Sequence, residues 1–308
     1  MCSQCGHAER DESSRTIDTA IESVARDRLL GRHISRRAVL RTALGLASWP
    51  AGQLILACAT VPVTGRSQLR LVSEAEEAQV GIAAFQQLRQ QEEKQGRLLT
   101  EREDPATHAW VKRVGQRVIG ASGLQSTYQW DYMIINAPQT INAAAIAGGR
   151  IMVYTGILPV ARDDAGLATV LGHEVGHVMA HHTAERLSEN ELVNLAGAAA
   201  GAAGVSDTTI AVLGLGAQVG ILLPYSRAQE SEADHIGLLL MAKAGYDPRD
   251  SVGLWQRMSQ ATGGAGRGAE FLSTHPNPEH RITNLQGWMP QAWPYYQNPN
   301  LPLPKRQS

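Results

Sequence analysis

Apolar residues along this chain follow a helical spacing in some stretches and a strand spacing in others, and polar residues mark the ends. Ser73 with Glu76 makes a capping box ahead of Ile82, Phe85 and Leu88, which predicts a core-packing helix. A second helix is expected from Asp104, with Pro105 at its first position, Trp110, Val111, Val114 and Val118 on one face, and a fading end at Gly120–Gly123. The β-rich runs YQWDYMIIN (128–136) and RIMVYTGIL (150–158) read as strands of a small sheet, joined by INAAAIAGG with its glycine pair.

Helical patterning returns at Asp163 or Asp164 and runs to about Leu187. Residues 193–224 are rich in alanine and glycine and almost uncharged. Their longest apolar run, Thr208 to Leu223, contains Gln218 and at about 1.5 Å per residue falls short of a bilayer, so a buried helical hairpin is expected rather than a membrane span. Ser226 and Gln229 cap a helix over 227–244 that stops at Gly245, before Asp247–Pro248. Two short helices and a flexible tail over 291–308 complete an α+β, mainly helical chain.

The chain has 308 residues, of which 43% are hydrophobic and 19% charged, enough for one large domain or two small ones. A formal net charge of −1, with no basic block after residue 60, argues against a nucleic-acid partner. Residues 1–57 read as an export signal: SRRAVLR (35–41) precedes an apolar run that ends at Cys58. Arg36 and Arg37 after Ser35 resemble the twin-arginine signal, with Val39 where that signal prefers phenylalanine, and ILAC (55–58) resembles a lipobox. Cys58 is therefore expected to become the lipid-bearing first residue, with 58–72 as a tether. The alternative, a plain membrane anchor over Thr42–Ala57, is short for roughly 30 Å of hydrocarbon and is broken by Pro50. Cys2 and Cys5 would leave with the signal, so no disulfide is expected.

The chemistry gathers in HEVGHVMAHH (173–182). His173 and His177 are four apart, on one helical face, so both rings can reach one ion with Glu174 beside them. His181 lies too far along the axis, about 12 Å from His173, to join zinc–nitrogen bonds of about 2 Å. His182, five residues past His177, points well away from the ion, so both are read as packing or supporting groups. Ala180 and Thr183 exclude the metzincin arrangement. A third ligand must come from another element, and SRAQESEADHIG (226–237) offers Glu230 and Asp234 on one face. One can bind the ion while the other orients a ligand histidine.

HEVGH (173–177), SRAQESEAD (226–234) and THPNPEHR (274–281), with VPVTGRSQL (61–69) and INAAAIAGGRIMVYTGIL (141–158), resemble the zinc metallopeptidase family of HtpX and the CAAX prenyl endopeptidases. The likeness is greatest to its small periplasmic lipoprotein members and covers about residues 58–285. It implies a zincin-like domain over 73–290, with a small sheet beside the HExxH helix, holding one Zn2+ per chain on His173, His177 and Glu230. The resemblance selects Glu230 over Glu232, leaves Asp234 to support a ligand and makes Glu174 the general base. It also places His275 near the metal, as oxyanion donor or as a removable fourth ligand. Departures from the family pattern are Ala144, Ala147 and Gly166, the last where a glutamate is common.

The implied activity is endoproteolysis of misfolded or unassembled envelope proteins by a lipoprotein on the periplasmic side, anchored to the outer membrane. An assembly factor or chaperone that seldom cuts is the alternative. Substrate is expected to pair with the strand at 150–155, if that strand is a sheet edge, giving Asn142, Arg150, Met152 and Tyr154 as substrate-strand residues.

Overall fold

The computed structural model describes residues 58–190, 225–262, 275 and 280–304. The export signal and the 193–224 hairpin lie outside the described residues. The chain divides into two units. β1 (Cys58–Thr60) pairs with β2 (Ser67–Leu69), and in the smaller unit Ser188 Oγ accepts from the backbone N–H groups of Leu71 at 2.8 Å and Val72 at 3.3 Å. The stretch read as a tether thus carries strands.

The larger unit holds a four-stranded sheet of order β3-β4-β6-β5. Its strands are β3 (Leu98–Leu99), β4 (Asp131–Ile135), β5 (Ala143–Ile146) and β6 (Arg150–Tyr154). β4 and β6 run parallel with Met133 opposite Met152, while β5 runs antiparallel to β6 with Ala144 opposite Met152. Alternation sorts their side chains between two buried clusters. Ile134, Ile151 and Val153 face one, and Met133, Ile135 and Met152 join Phe85 in the other. Both faces are covered, which is why these strands read as unbroken apolar runs.

This topology corrects the substrate-strand expectation. β6 is hydrogen-bonded on both sides and offers no open edge; the edge strand beside it is β5, read from sequence as a connection. Ala143–Ile146 lacks the β-branched signature of a strand. The glycine pair is what folds it back: Gly148 and Gly149 take φ of 81° and 78°, a left-handed conformation that glycine adopts without strain.

Helix α1 (Glu74–Lys94) carries the Ser73–Glu76 capping box, and α2 (Pro105–Ser122) is capped by Asp104 and closed by Gly123 at φ 77°. After the short α3 (Leu158–Ala161) comes α4 (Asp164–Met179), capped by Asp163. One long helix to Leu187 was expected. Instead it breaks: His181 takes φ 52°, and a new helix, α5, runs over 182–190 to the limit of the described residues. Next come α6 (Arg227–Lys243), opened by the Ser226–Gln229 capping box, α7 (Asp250–Thr262) and α8 (Arg281–Gln297).

α8 runs past residue 291, where a flexible tail was expected. It takes Pro290 and Pro294 into the helix, and Lys243 Nζ holds the chain beyond by the carbonyls of Pro299 and Leu301. Buried packing at Leu285 and Ala292 outweighs the helix-breaking tendency of the two prolines.

α4 and α6 cross with their backbones almost touching. A Cβ on Gly172 would sit 2.8 Å from the Gly237 carbonyl oxygen, and one on Gly176, inside HEVGH, 2.8 Å from that of Ala233. This close approach brings the acidic start of α6 to the histidines of α4.

Candidate metal centre

α4 presents His173, Glu174 and His177, each 2% exposed, and the first turn of α6 presents Glu230, 1% exposed. His173 Nε2 lies 3.1 Å from His177 Nε2, and Glu230 lies 3.5 Å from the first and 3.4 Å from the second. His275 Nδ1 completes the group, 3.2 Å from His173 Nε2 and 3.0 Å from Glu230 Oε1. All four ligand atoms fall within 4.8 Å of one another. Tetrahedral zinc with bonds of about 2.0–2.1 Å separates its ligand atoms by about 3.3–3.4 Å, so these residues fit it.

Both histidines are fixed from behind. His173 Nδ1 is 2.9 Å from Asp234 Oδ1, and His177 Nδ1 is 2.7 Å from His182 Nδ1, whose Nε2 is 3.0 Å from Glu232 Oε2. Arg281, the first residue of α8, donates to both Asp234 and Glu230 and lies 3.8 Å over the Trp255 ring. A cation at a helix N-terminus opposes the helix dipole, and the two carboxylates offset that cost. Tyr225 stacks on His177 with ring centroids 3.8 Å apart.

Electrostatics favours neutral, metal-ready imidazoles at His173 and His177, which burial holds well below the usual value of 6.5. Burial works against ionised Glu230, but His275, His173 and His177 outweigh it and keep the carboxyl well below its ordinary value. Glu174 differs. Burial pushes it up to about 7, only partly countered by His275 and the Ala145 N–H. One oxygen, Oε2, accepts from Ala145 at 3.0 Å, while Oε1 is buried without a hydrogen-bond partner among the described residues. Burial likewise pushes Asp234 up to about 7, against the charge of Arg281. Fully ionised, Glu174, Glu230 and Asp234 face a single buried guanidinium, and a dication would balance the excess.

Of the residues singled out in sequence, His173, Glu174, His177, Glu230, Asp234 and His275 come together. Arg150, Met152 and Tyr154 do not form an open edge: Met152 is buried among Phe85 and its neighbours, and Arg150 donates to the carbonyls of Gln129 and Gly148. Asn142 precedes β5, and its carbonyl accepts from Tyr154 N–H at 3.1 Å. Gly166 departs from the family pattern for a steric reason, since any Cβ there would lie 2.0 Å from the Ala161 carbonyl oxygen. Arg281 was not assigned a place, and His182, read as a packing or supporting group, was not assigned to His177. An arginine opening a helix was a readable signal for the first. The second depends on the bend at His181, which spacing alone does not reveal.

An HExxH helix against a small sheet, with a carboxylate supplied by a second helix, defines a zincin-like metallopeptidase domain. The chain belongs to peptidase family M48, whose profile matches residues 105–289. It is 38% identical over 193 residues to the mitochondrial metalloendopeptidase OMA1 of Schizosaccharomyces pombe, covering 60% of this chain and 54% of that protein. The human mitochondrial metalloendopeptidase OMA1 is 32% identical over 251 residues, 75% of this chain and 46% of that one. The beta-barrel assembly-enhancing protease of Escherichia coli K12 is 25% identical over 267 residues, 81% of this chain and 52% of that one. The chain thus spans about half the length of these relatives.

Proposed function

We propose that this chain is a zinc-dependent endopeptidase acting on misfolded or unassembled proteins of the cell envelope. The observation that carries the reading is the convergence of His173, His177, Glu230 and His275 within 4.8 Å, beside a carboxylate with one oxygen that makes no hydrogen bond among the described residues. His173, His177 and Glu230 would hold the ion. Zinc, when bound there, lowers the pKa of a coordinated water toward about 7 and polarises a peptide carbonyl. Glu174, raised to about 7, takes the proton of the attacking water and returns it to the leaving amine. His275 either donates to the developing oxyanion or stands as a fourth ligand in the resting state.

Substrate would add to the outer edge of β5. Asn142 O accepts from Tyr154 N–H, so the backbone groups of Ala143 and Ala145, at alternate positions, point away from β6; their N–H groups donate to Asn142 Oδ1 at 2.9 Å and Glu174 Oε2 at 3.0 Å, so an incoming strand would pair through their carbonyls or displace those contacts. Main-chain pairing there suits unfolded segments of varied sequence.

The relatives' names divide between mitochondria and bacterial β-barrel assembly. The ILAC lipobox favours an exported bacterial lipoprotein, anchored through Cys58 at the outer membrane. Among the described residues no helix is long and apolar enough to cross a membrane. The test is casein cleavage by the full chain with and without a chelator, beside zinc analysis of Glu230→Ala. Cleavage that survives metal removal, or full zinc occupancy in Glu230→Ala, overturns the reading. An assembly role without cutting, the second reading, would leave envelope assembly intact in Glu174→Gln. Fatty-acid labelling that persists in Cys58→Ser would remove the anchor.

A further inference from the structure

The hydrogen bonds behind His177 continue to the N-terminal segment of the same unit. Arg66 Nε donates to Glu232 Oε2 at 2.7 Å, and Thr64 Oγ1 donates to Glu232 Oε1. Arg66 and Thr64 lie in the tight turn that follows β1, closed by Val61 N–H donating to the Arg66 carbonyl at 2.8 Å. His182 is fully buried and Glu232 is 5% exposed.

The direction of this chain is forced by its far end. A carboxylate that accepts from an arginine and a threonine also accepts from His182, so His182 carries its proton on Nε2. In a neutral His182 ring Nδ1 then offers only a lone pair, so His177 carries its proton on Nδ1 and keeps Nε2 bare. Bare Nε2 is the atom that faces His173 and Glu230. His173 gets the same orientation from Asp234 directly; His177 gets it through an intervening imidazole. The left-handed residue His181 makes this possible, since five positions along an unbroken helix would carry His182 to another face.

We propose that His182 and Glu232, clamped by Thr64 and Arg66, are positioning residues that hold His177 in its metal-binding tautomer, so that the turn at residues 61–66 is a working part of the metal centre. The proposal rests on the zinc reading above. Loss of such an outer partner weakens metal affinity by about 10- to 100-fold. Glu232→Ala should therefore still bind one zinc, but less tightly.

The experiment is zinc affinity by chelator competition on the full chain, together with the visible absorption of the cobalt-substituted protein. His182→Ala should bind zinc about 10- to 100-fold more weakly. His182→Asn, whose amide oxygen can replace Nδ1 as acceptor, should recover most of that loss. Arg66→Gln should weaken zinc several-fold and shift the cobalt spectrum, although Arg66 acts on His177 only through Glu232 and His182. Should His182→Ala fail to fold, Arg66→Gln and Thr64→Val carry the test, because they alter a part-exposed turn. Unchanged affinity and an unchanged cobalt spectrum in the folded variants overturn the positioning role. So does a loss that Asn fails to recover and that follows the thermal stability of the metal-free protein. A parent chain that takes up no zinc defeats the metallopeptidase reading itself, which separates the two failures.

Discussion

The backbone N–H of Ala145 donates to Glu174 Oε2 over 3.0 Å, so the edge strand of the sheet fixes one oxygen of the carboxylate and leaves the other for chemistry. Glutamine can keep this contact through its amide oxygen but cannot take up a proton. Glu174→Gln is therefore expected to fold and bind zinc like the parent, while losing at least about a hundredfold in peptide cleavage. Zinc analysis beside a peptide-cleavage assay checks this, and unchanged turnover would place the base elsewhere.

The metal-free protein should lose stability as pH rises through about 7. Glu174 is raised from 4.5 to about 7 and His275 lies above 6.5, so the folded chain holds protons that the unfolded chain has released. Stability from raised groups is present at lower pH and lost as pH passes their folded values. His173 and His177, lowered in the fold, act in the opposite sense only while the unfolded imidazoles still hold protons, an effect that fades as pH rises above 6.5. Chelated protein melted between pH 6.5 and 8.5 should show a falling midpoint, and zinc-loaded protein should not, because the ion displaces those protons. A rising midpoint after chelation would refute this account.

Arg281 is buried between Asp234 and Glu230, and its removal leaves both carboxylates uncompensated. Arg281→Gln should destabilise the metal-free fold by about 3–5 kcal/mol, the scale for breaking a buried ion pair, and by less when zinc supplies positive charge. Denaturant unfolding with and without zinc measures the difference. Equal losses in both states would show that the guanidinium acts by packing on Trp255 instead.

Local signals in the sequence carried much of the fold because they were chemically specific. The capping boxes at Ser73 and Ser226, the Asp104–Pro105 start and the Gly123 and Gly245 stops all mark helix ends in the structure. The pairing order of the strands was not legible. Ala143–Ile146 owes its place to the turn at Gly148–Gly149 and to β6, not to its own side chains, so a connection and an edge strand looked alike. The candidate site divides in the same way. Four-residue spacing on α4 showed two histidines, and the family likeness pointed to Glu230 and His275. The partners behind them, Arg281 and His182, depend on how α8 and the bend at His181 fold back.

His275 stands at the fourth corner of the donor set, with Nδ1 turned to Glu230 and His173 and Nε2 lying 3.6 Å from Glu174 Oε1. A ring in that corner occupies the position that substrate and the attacking water need, which describes a resting state. Moved aside, the same imidazole would serve as the oxyanion donor of the proposed mechanism. A dual role makes two demands on His275→Ala that neither role alone meets. With the corner vacated, a zinc-chelating hydroxamate no longer has to displace the ring, so it should bind at least about tenfold more tightly, a difference of about 1.4 kcal/mol. With the donor gone, turnover should fall by roughly ten- to a thousandfold at saturating zinc. Inhibitor titration and steady-state kinetics on the same zinc-loaded preparation read both. Tighter hydroxamate binding with unchanged or higher turnover would reduce His275 to a latch. Lower turnover with unchanged inhibitor affinity would make it a donor that never blocks the site.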